Sequence, residues 1–67
     1  MTINEIFGKR VKERRLELKL SQEKLANMAD VDRTYLPDIE NGKRNVSLIV
    51  AEKIAKALSL PLKDLIE

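Results

Sequence analysis

The sequence has no cysteine and no histidine, and its 67 residues include only two glycines, two prolines, one tyrosine and one phenylalanine. Without Cys or His, we expect no disulfide, no metal site, and no Cys or His nucleophile or general base. So few glycines and prolines argue against a sheet with many tight turns. The longest apolar run is the four residues 48–51, and no signal peptide is recognisable, so we expect no membrane contact and a cytoplasmic location.

What the sequence does contain is typical of one small globular domain. Apolar residues make up 43% of the chain and charged residues 36%, with ten Leu and six Ile, which is not the composition of a disordered chain. The length predicts a single domain over residues 1–67. The net charge of +2 hides six basic and two acidic residues in segment 9–19. That segment is either a surface that faces a polyanion or an ordinary solvated helix face.

Capping residues divide the chain into five short helices, which predicts an all-α fold. Thr2 and Glu5 have the spacing of a capping box, and Gly42 stands where a left-handed residue commonly ends a helix. The residues predicted to start the five helices are Thr2, Ser21, Asp32, Ser47 and Pro61. The helices predicted in this way cover about residues 3–18, 22–29, 33–41, 48–58 and 61–66.

The second and third predicted helices fit a helix-turn-helix pattern. Two helices that cross steeply need a small residue at their closest approach, and Ala26 stands at that position. The turn needs a residue that tolerates positive φ, and Asp30 does so at lower cost than most residues other than Gly. The residues expected to face the core are Leu25, Ala29, Val31, Leu36 and Ile39. The alternative is a generic three-helix core that matches the pattern by chance.

Two segments resemble the phage Cro and repressor type of helix-turn-helix domain, namely residues 21–26 (SQEKLA) and 39–43 (IENGK). This resemblance extends over essentially the whole chain and implies the five-helix lambda-repressor-like fold. Residues 31–36 (VDRTYL) and 42–48 (GKRNVSL) are also similar to the controller proteins of restriction–modification systems. Those proteins are small dimers that bind their own promoter and time expression of the endonuclease.

The resemblance implies that the third helix, at about 33–41, is a recognition helix whose N-terminal residues contact base edges in the major groove. Arg33 is suited to a bidentate hydrogen-bond contact with guanine O6 and N7. Thr34 offers a hydroxyl to a base or a methyl group to thymine. Asp38, one turn further along, either accepts a hydrogen bond from cytosine N4 or repels phosphate. We therefore predict base contacts by Arg33, Thr34 and Asp38.

Contacts to the DNA backbone or groove are expected on both sides of this helix. The N-terminus of the second helix, with its free N–H groups, suits a phosphate, and Gln22 matches a DNA-contacting position of the family. The Tyr35 ring either packs at the edge of the core or, as the resemblance favours, faces DNA. Arg44 is long enough to reach a narrow minor groove. The residues predicted for these contacts are Ser21, Gln22, Tyr35, Lys43, Arg44 and Asn45.

Two further features concern the geometry of the recognition helix. The resemblance implies that Arg15 and Glu40 form an internal ion pair between the first and third helices, and we expect this pair to be structural. Pro37 conflicts with the predicted helix 33–41, because a proline inside a helix costs about 3 kcal/mol. Either the helix starts late, or it is bent, or its first turn is irregular.

The favoured function is a sequence-specific, dimeric regulator of transcription that binds a palindromic operator in double-stranded DNA, without cofactor, effector domain or small-molecule effector. The alternatives are an antitoxin or phage-type repressor, or a helical adaptor that binds protein and no DNA. We expect no enzymatic activity, since the sequence has neither paired carboxylates nor a phosphate-binding loop. The C-terminal part has balanced charge and spare apolar residues, which predicts the dimer interface there. The interface residues are Ile49, Val50, Leu60 and Ile66.

Overall fold

A computed structural model describes all residues 1–67 and contains five α-helices and no β-strand. The helices are α1 (Ile3–Glu17), α2 (Gln22–Ala29), α3 (Leu36–Glu40), α4 (Leu48–Ala57) and α5 (Lys63–Ile66). α1 packs against α3 and α5, and α2 packs against α4 and α3. The predicted all-α, five-helix fold is therefore confirmed. None of the five helices is both long and apolar enough to cross a bilayer.

Three of the helices begin at the predicted caps. The Thr2 hydroxyl accepts a hydrogen bond from the backbone N–H of Glu5, while the Glu5 carboxylate accepts from the N–H of Thr2. These bonds from Thr2 lower the pKa of Glu5, because they favour its charged form. Ser21 accepts from the N–H of Lys24 at 3.0 Å, and Ser47 accepts from the N–H of Val50 at 3.1 Å. Each cap satisfies a backbone donor that has no partner within its own helix.

The start predicted for α3 is wrong by three residues. We predicted a helix from residue 33 with Asp32 as its cap, but the helix begins at Leu36, and residues 33–35 form a turn. The reason is Pro37, which now occupies the first turn of α3, where its missing N–H needs no intrahelical partner. The start predicted for α5 is also wrong. α5 begins at Lys63, and the carbonyl of Pro61 accepts from the N–H of Asp64 in the turn before it.

The core lies between the helices and includes the residues expected from the helix-turn-helix pattern. Leu25, Ala26, Ala29, Leu36 and Ile39 are buried, and Val31 is half-buried against them. The rest of the core consists of Phe7, Val11, Ala51, Ile54, Ala55, Leu58 and Leu65. Leu48 has the helical spacing of Ala51, Ala55 and Leu58, but it is 78% exposed whereas those three residues are buried. It is the first residue of α4 and lies beyond the core, whereas Ile54 is fully buried.

A glycine allows α1 to cross close to α3. Gly8 is buried, and a Cβ atom on it would collide with the carbonyl oxygen of Ile39 and would lie 2.8 Å from that of Glu40. Both atoms belong to the backbone of α3, so they cannot move aside by a change of rotamer. The close approach at Gly8 therefore sets the position of α3, and thus of the turn that precedes it.

Several connections use the left-handed backbone region. Asp30, in the turn between α2 and α3, has φ +56°, as predicted, and Gly42, after α3, has φ +73°. Lys19 and Ser59, which follow α1 and α4, adopt the same region with φ +59° and +58°. A side chain with a Cβ atom is strained there, at about 1–2 kcal/mol per residue.

Replacing Lys19 with glycine is expected to stabilise the fold by about 0.5–1 kcal/mol. The relief of left-handed strain exceeds the extra freedom that glycine gives the unfolded chain. Lys19 is exposed, and its side chain forms no ion pair. The measurement is denaturant unfolding, with Lys12→Gly inside α1 as the control, which should lower stability by about 1 kcal/mol. Equal losses in both variants would contradict this interpretation.

Candidate nucleic-acid interface

Two of the three residues predicted to read bases, Arg33 and Thr34, lie on the turn that precedes α3. The N–H of Tyr35 donates to the carbonyl of Asp32 at 3.1 Å, and the N–H of Leu36 donates to the carbonyl of Arg33 at 3.3 Å. These bonds span three residues, so the turn is tighter than α-helix. Arg33 and Thr34 are both exposed on it. Asp38 is exposed in the first turn of α3.

Asp32 organises this turn from within. Its carboxylate Oδ1 accepts from the backbone N–H of Thr34 at 2.9 Å and from the Thr34 hydroxyl at 2.8 Å. These two hydrogen bonds lower the pKa of Asp32, with a smaller contribution from the neighbouring charge of Arg33. Asp32 is therefore held in its charged form while it fixes the rotamer of Thr34.

The Arg33 side chain is anchored on α2. Its Nη1 donates to Oε2 of Glu23, and both side chains remain mostly exposed, at 68% and 59%. This ion pair bridges the first turn of α2 and the turn before α3. It places an arginine guanidinium on the outer surface of the helix-turn-helix unit.

Tyr35 and Arg44 form a stacked pair beside that turn. The guanidinium carbon of Arg44 lies 4.1 Å from the centre of the Tyr35 ring, within the range of a cation–π interaction. The ring is 45% exposed, and it lines a groove together with Ile39 and Val50. The ring therefore borders the core with one part and carries Arg44 on its surface.

The loop after α3 is attached to both α3 and α1. The N–H of Lys43 donates to the carbonyl of Asp38 at 2.9 Å. The Asn45 side-chain oxygen accepts from Nδ2 of Asn4 at 2.7 Å, which leaves the Asn45 amino group free to donate elsewhere. All three residues predicted here, Lys43, Arg44 and Asn45, are exposed.

Arg15 and Glu40 form a two-pronged ion pair between α1 and α3. Arg15 Nε donates to Glu40 Oε2 at 2.7 Å, and Nη2 donates to Oε1 at 3.0 Å. Arg15 Nη1 also donates to the carbonyl of Leu20 at 2.8 Å. Gln22 joins the same group, since its Nε2 donates to Glu40 Oε1 at 3.1 Å. The buried pair therefore also holds the first residue of α2, where a phosphate contact was predicted.

The structure brings the predicted DNA-contacting residues of α2, the turn and α3 into one connected surface, but two participants were not found from the sequence. Glu23 holds Arg33, and Asn4 holds Asn45, across separations of 10 and 41 residues. No local pattern announces such pairs, because charged and amide residues are common on any solvated helix. Only the fold brings the partners together.

The residues predicted for a dimer interface differ in exposure. Ile49 is 72% exposed and Ile66 is also exposed, whereas Val50 and Leu60 are half-buried against the core. Two residues that the sequence analysis did not select add to the apolar surface. Ile3 and Leu48 are exposed and line one groove together with Ile66.

Comparison with known proteins agrees with this geometry. A family model described as helix-turn-helix matches residues 11–65. The control protein C.BamHI of Bacillus amyloliquefaciens is 52% identical over 63 residues, which cover 92% of this chain and 78% of that protein. The solved structure of the restriction–modification controller protein C.AhdI from Aeromonas hydrophila has a TM-score of 0.88 at 42% identity, covering 92% of this chain and 94% of that one.

A further solved structure contains DNA. The master regulator of biofilm formation SinR, solved in complex with DNA, has a TM-score of 0.85 at 34% identity and covers 91% of this chain and 98% of that one. The match to the family model, the identity to a control protein and the buried helix-turn-helix core all agree. The chain therefore belongs to the helix-turn-helix family of DNA-binding transcriptional regulators and, within it, to the group of restriction–modification control proteins.

Proposed function

We propose that this protein binds a palindromic operator as a dimer and controls transcription of a restriction–modification operon in the cytoplasm. The observation that carries the proposal is the exposed turn before α3, on which Arg33 and Thr34 stand next to the N-terminus of α2. The similarity to control proteins over most of their length supports the assignment to this class of operon. Its action consists of binding, without a catalytic step.

In this proposal Arg33 and Thr34 contact bases in the major groove, and α3, which follows them in the chain, holds their turn in place. Arg33 pairs with guanine O6 and N7, while Asp38 lies one turn deeper and accepts from cytosine N4 or excludes unsuitable sites. Arg33 and Thr34 lie on a turn and not in a long helix. The orientation of their side chains therefore depends on the hydrogen bonds of that turn.

Phosphates on both sides of the groove are then contacted by two groups of residues. The N-terminus of α2 presents free backbone N–H groups at Ser21 and Gln22. On the other side, Lys43, Arg44 and the free amino group of Asn45 face the adjacent backbone or the minor groove. Tyr35 carries Arg44 on its ring and thereby sets the direction from which that guanidinium approaches.

Arg33→Ala is expected to weaken operator binding by about 1–3 kcal/mol while binding to a random duplex stays nearly unchanged, because a base contact carries sequence information. Arg44→Ala serves as the contrast, since loss of one phosphate contact should reduce the slope of log K against log salt by about one unit. The measurement is fluorescence anisotropy over a salt series. Equal losses on both duplexes with Arg33→Ala would remove this residue from the base readers.

Dimerisation is proposed through the C-terminal half, centred on the exposed Ile49 and Ile66, with Val50 and Leu60 contributing from the edge of the core. Segment 46–67 has three basic and three acidic residues, so it can lose water on both sides of a two-fold axis without net repulsion. A dimer arranged in this way leaves the turn before α3 free. The exposed Ile3 and Leu48 extend the same apolar surface.

Ile49→Glu is expected to shift the protein to a monomer at concentrations where the wild type is dimeric, because it buries a charge at the two-fold interface. Lys12→Glu, a change of charge at an exposed position of α1 and outside the C-terminal half, is the control. Sedimentation over a concentration series measures the shift. A dimer that tolerates glutamate at position 49 would contradict this placement of the interface.

A further inference from the structure

Two exposed acidic residues lie among the residues proposed to contact DNA, and each accepts a hydrogen bond from one residue proposed to contact a base. Glu23 accepts from Arg33, and Asp32 accepts from Thr34. Negative charges at such positions repel phosphate, so a surface that binds DNA only through its net charge gains nothing from them. We propose that Glu23 and Asp32 are positioning residues that set sequence specificity by fixing Arg33 and Thr34 for their bases. This inference rests on the proposed function.

The contribution of the Glu23–Arg33 contact is not principally to the stability of the fold. Glu23 and Arg33 are mostly solvated, and an ion pair in water adds little to the free energy of unfolding. The pair does restrict the guanidinium. A free arginine side chain loses much rotamer freedom when it docks on a base, and one already restrained by a carboxylate loses less.

The pair with Asp32 also determines which hydrogen bond Thr34 can make. A hydroxyl has one proton to donate and two lone pairs to accept with. Because the proton of Thr34 goes to Asp32 Oδ1 at 2.8 Å, the hydroxyl faces the groove as an acceptor. An acceptor pairs with the amino groups of adenine N6 or cytosine N4 and not with the acceptors of guanine or thymine. Asp32 therefore restricts the bases that Thr34 can accept from.

Glu23 acts in a similar way on Arg33. One guanidinium nitrogen, Nη1, is committed to the carboxylate, and the remaining N–H groups of the planar fork are directed by that contact. The bidentate contact with guanine O6 and N7 requires two of these donors to be parallel to the base edge. When the carboxylate is removed, the guanidinium can reach nearby phosphates as easily as a base.

The test compares two alanine variants with their amide counterparts. Glu23→Ala and Asp32→Ala remove both the negative charge and the acceptor oxygens. Glu23→Gln and Asp32→Asn remove the same charge but keep one acceptor oxygen. Glu13→Ala is the control, since this exposed carboxylate takes part in no ion pair or hydrogen bond and lies on α1, outside the segment proposed for the dimer interface. Each variant is titrated at one salt concentration against the duplex that the wild type enriches from a randomised pool, and against a scrambled duplex of equal length.

We expect the alanine variants to lower the ratio of operator to scrambled affinity by about tenfold. They should bind the scrambled duplex slightly more tightly than the wild type, because a charge that repels phosphate is gone. The amide variants should retain most of the ratio, and the control variant should strengthen both affinities equally. Selection repeated with Asp32→Ala should lose preference at one base pair in each half-site and retain the others.

Alanine variants that change both affinities alike, or amide variants that lose as much as the alanine variants, would overturn the inference. A selection by Asp32→Ala identical to that of the wild type would overturn it for Thr34. These outcomes are distinct from failure of the proposed function, in which the wild type itself enriches no sequence from the pool. The melting temperature of each variant, expected within a few degrees of the wild type, separates lost positioning from lost folding.

Discussion

Gly8→Ala is expected to lower the free energy of unfolding by about 3 kcal/mol and to weaken DNA binding further in the molecules that remain folded. In an exposed helix this substitution would stabilise by about 1 kcal/mol, because alanine is the better helix former. Here the added Cβ collides with backbone carbonyls at Ile39 and Glu40, so α1 and α3 must separate. Overpacking against a rigid backbone outweighs the gain in helix propensity.

Denaturant unfolding measures the first effect, and operator titration without denaturant, at a temperature where the variant is mostly folded, measures the second. Lys9→Ala, at the next position and exposed, is the matched control and should lie within about 0.5 kcal/mol of the wild type. If Gly8→Ala is as stable as that control, α1 does not approach α3 as closely as described.

The second large effect is expected for Glu40→Ala, which should destabilise the fold by about 3–5 kcal/mol. The Glu40 side chain is only 2% exposed, and its removal leaves the Arg15 charge and the Gln22 amide without their shared partner. An unpaired buried charge is far more costly than the net gain from the pair itself. Glu40→Gln, which keeps an acceptor but loses the charge, should lie between the alanine variant and the wild type.

A double variant separates the pair from its surroundings. Arg15→Met combined with Glu40→Leu removes both charges and fills their space with apolar groups, which often restores stability when a buried ion pair is replaced. Thermal unfolding should therefore show the double variant to be more stable than Glu40→Ala alone. A Glu40→Ala protein with the melting temperature of the wild type would show that the pair is not structurally important.

Local features of the chain were enough to predict most of the fold. The caps at Thr2, Ser21 and Ser47 are formed as expected, because a capping side chain bonds to an N–H only three residues away. The left-handed turn at Asp30 follows from the same local chemistry. Pro37 indicated an irregularity in the third helix, but the sequence alone did not distinguish a late start from a bend or an irregular first turn.

What the sequence did not indicate depends on contacts between distant segments. Gly8 looks like an isolated helix breaker until α3 is seen to cross it. Leu48 has the spacing of a core residue, but the N-terminus of α4 extends past the core, so the Leu48 side chain lies in solvent. Glu23 is one exposed acid among several, and its role emerges only when the turn before α3 brings Arg33 to it.

The most direct test of the account is a footprint of the wild-type protein on the DNA upstream of its own gene. Two copies related by a two-fold axis should protect two symmetry-related half-sites whose centres lie about one helical turn, or about 34 Å, apart. Arg33→Ala at the same concentration should lose this protection, while Lys12→Ala, on the exposed face of α1, should retain it. Protection spread evenly along the duplex, or unchanged by Arg33→Ala, would contradict sequence-specific reading by the turn before α3.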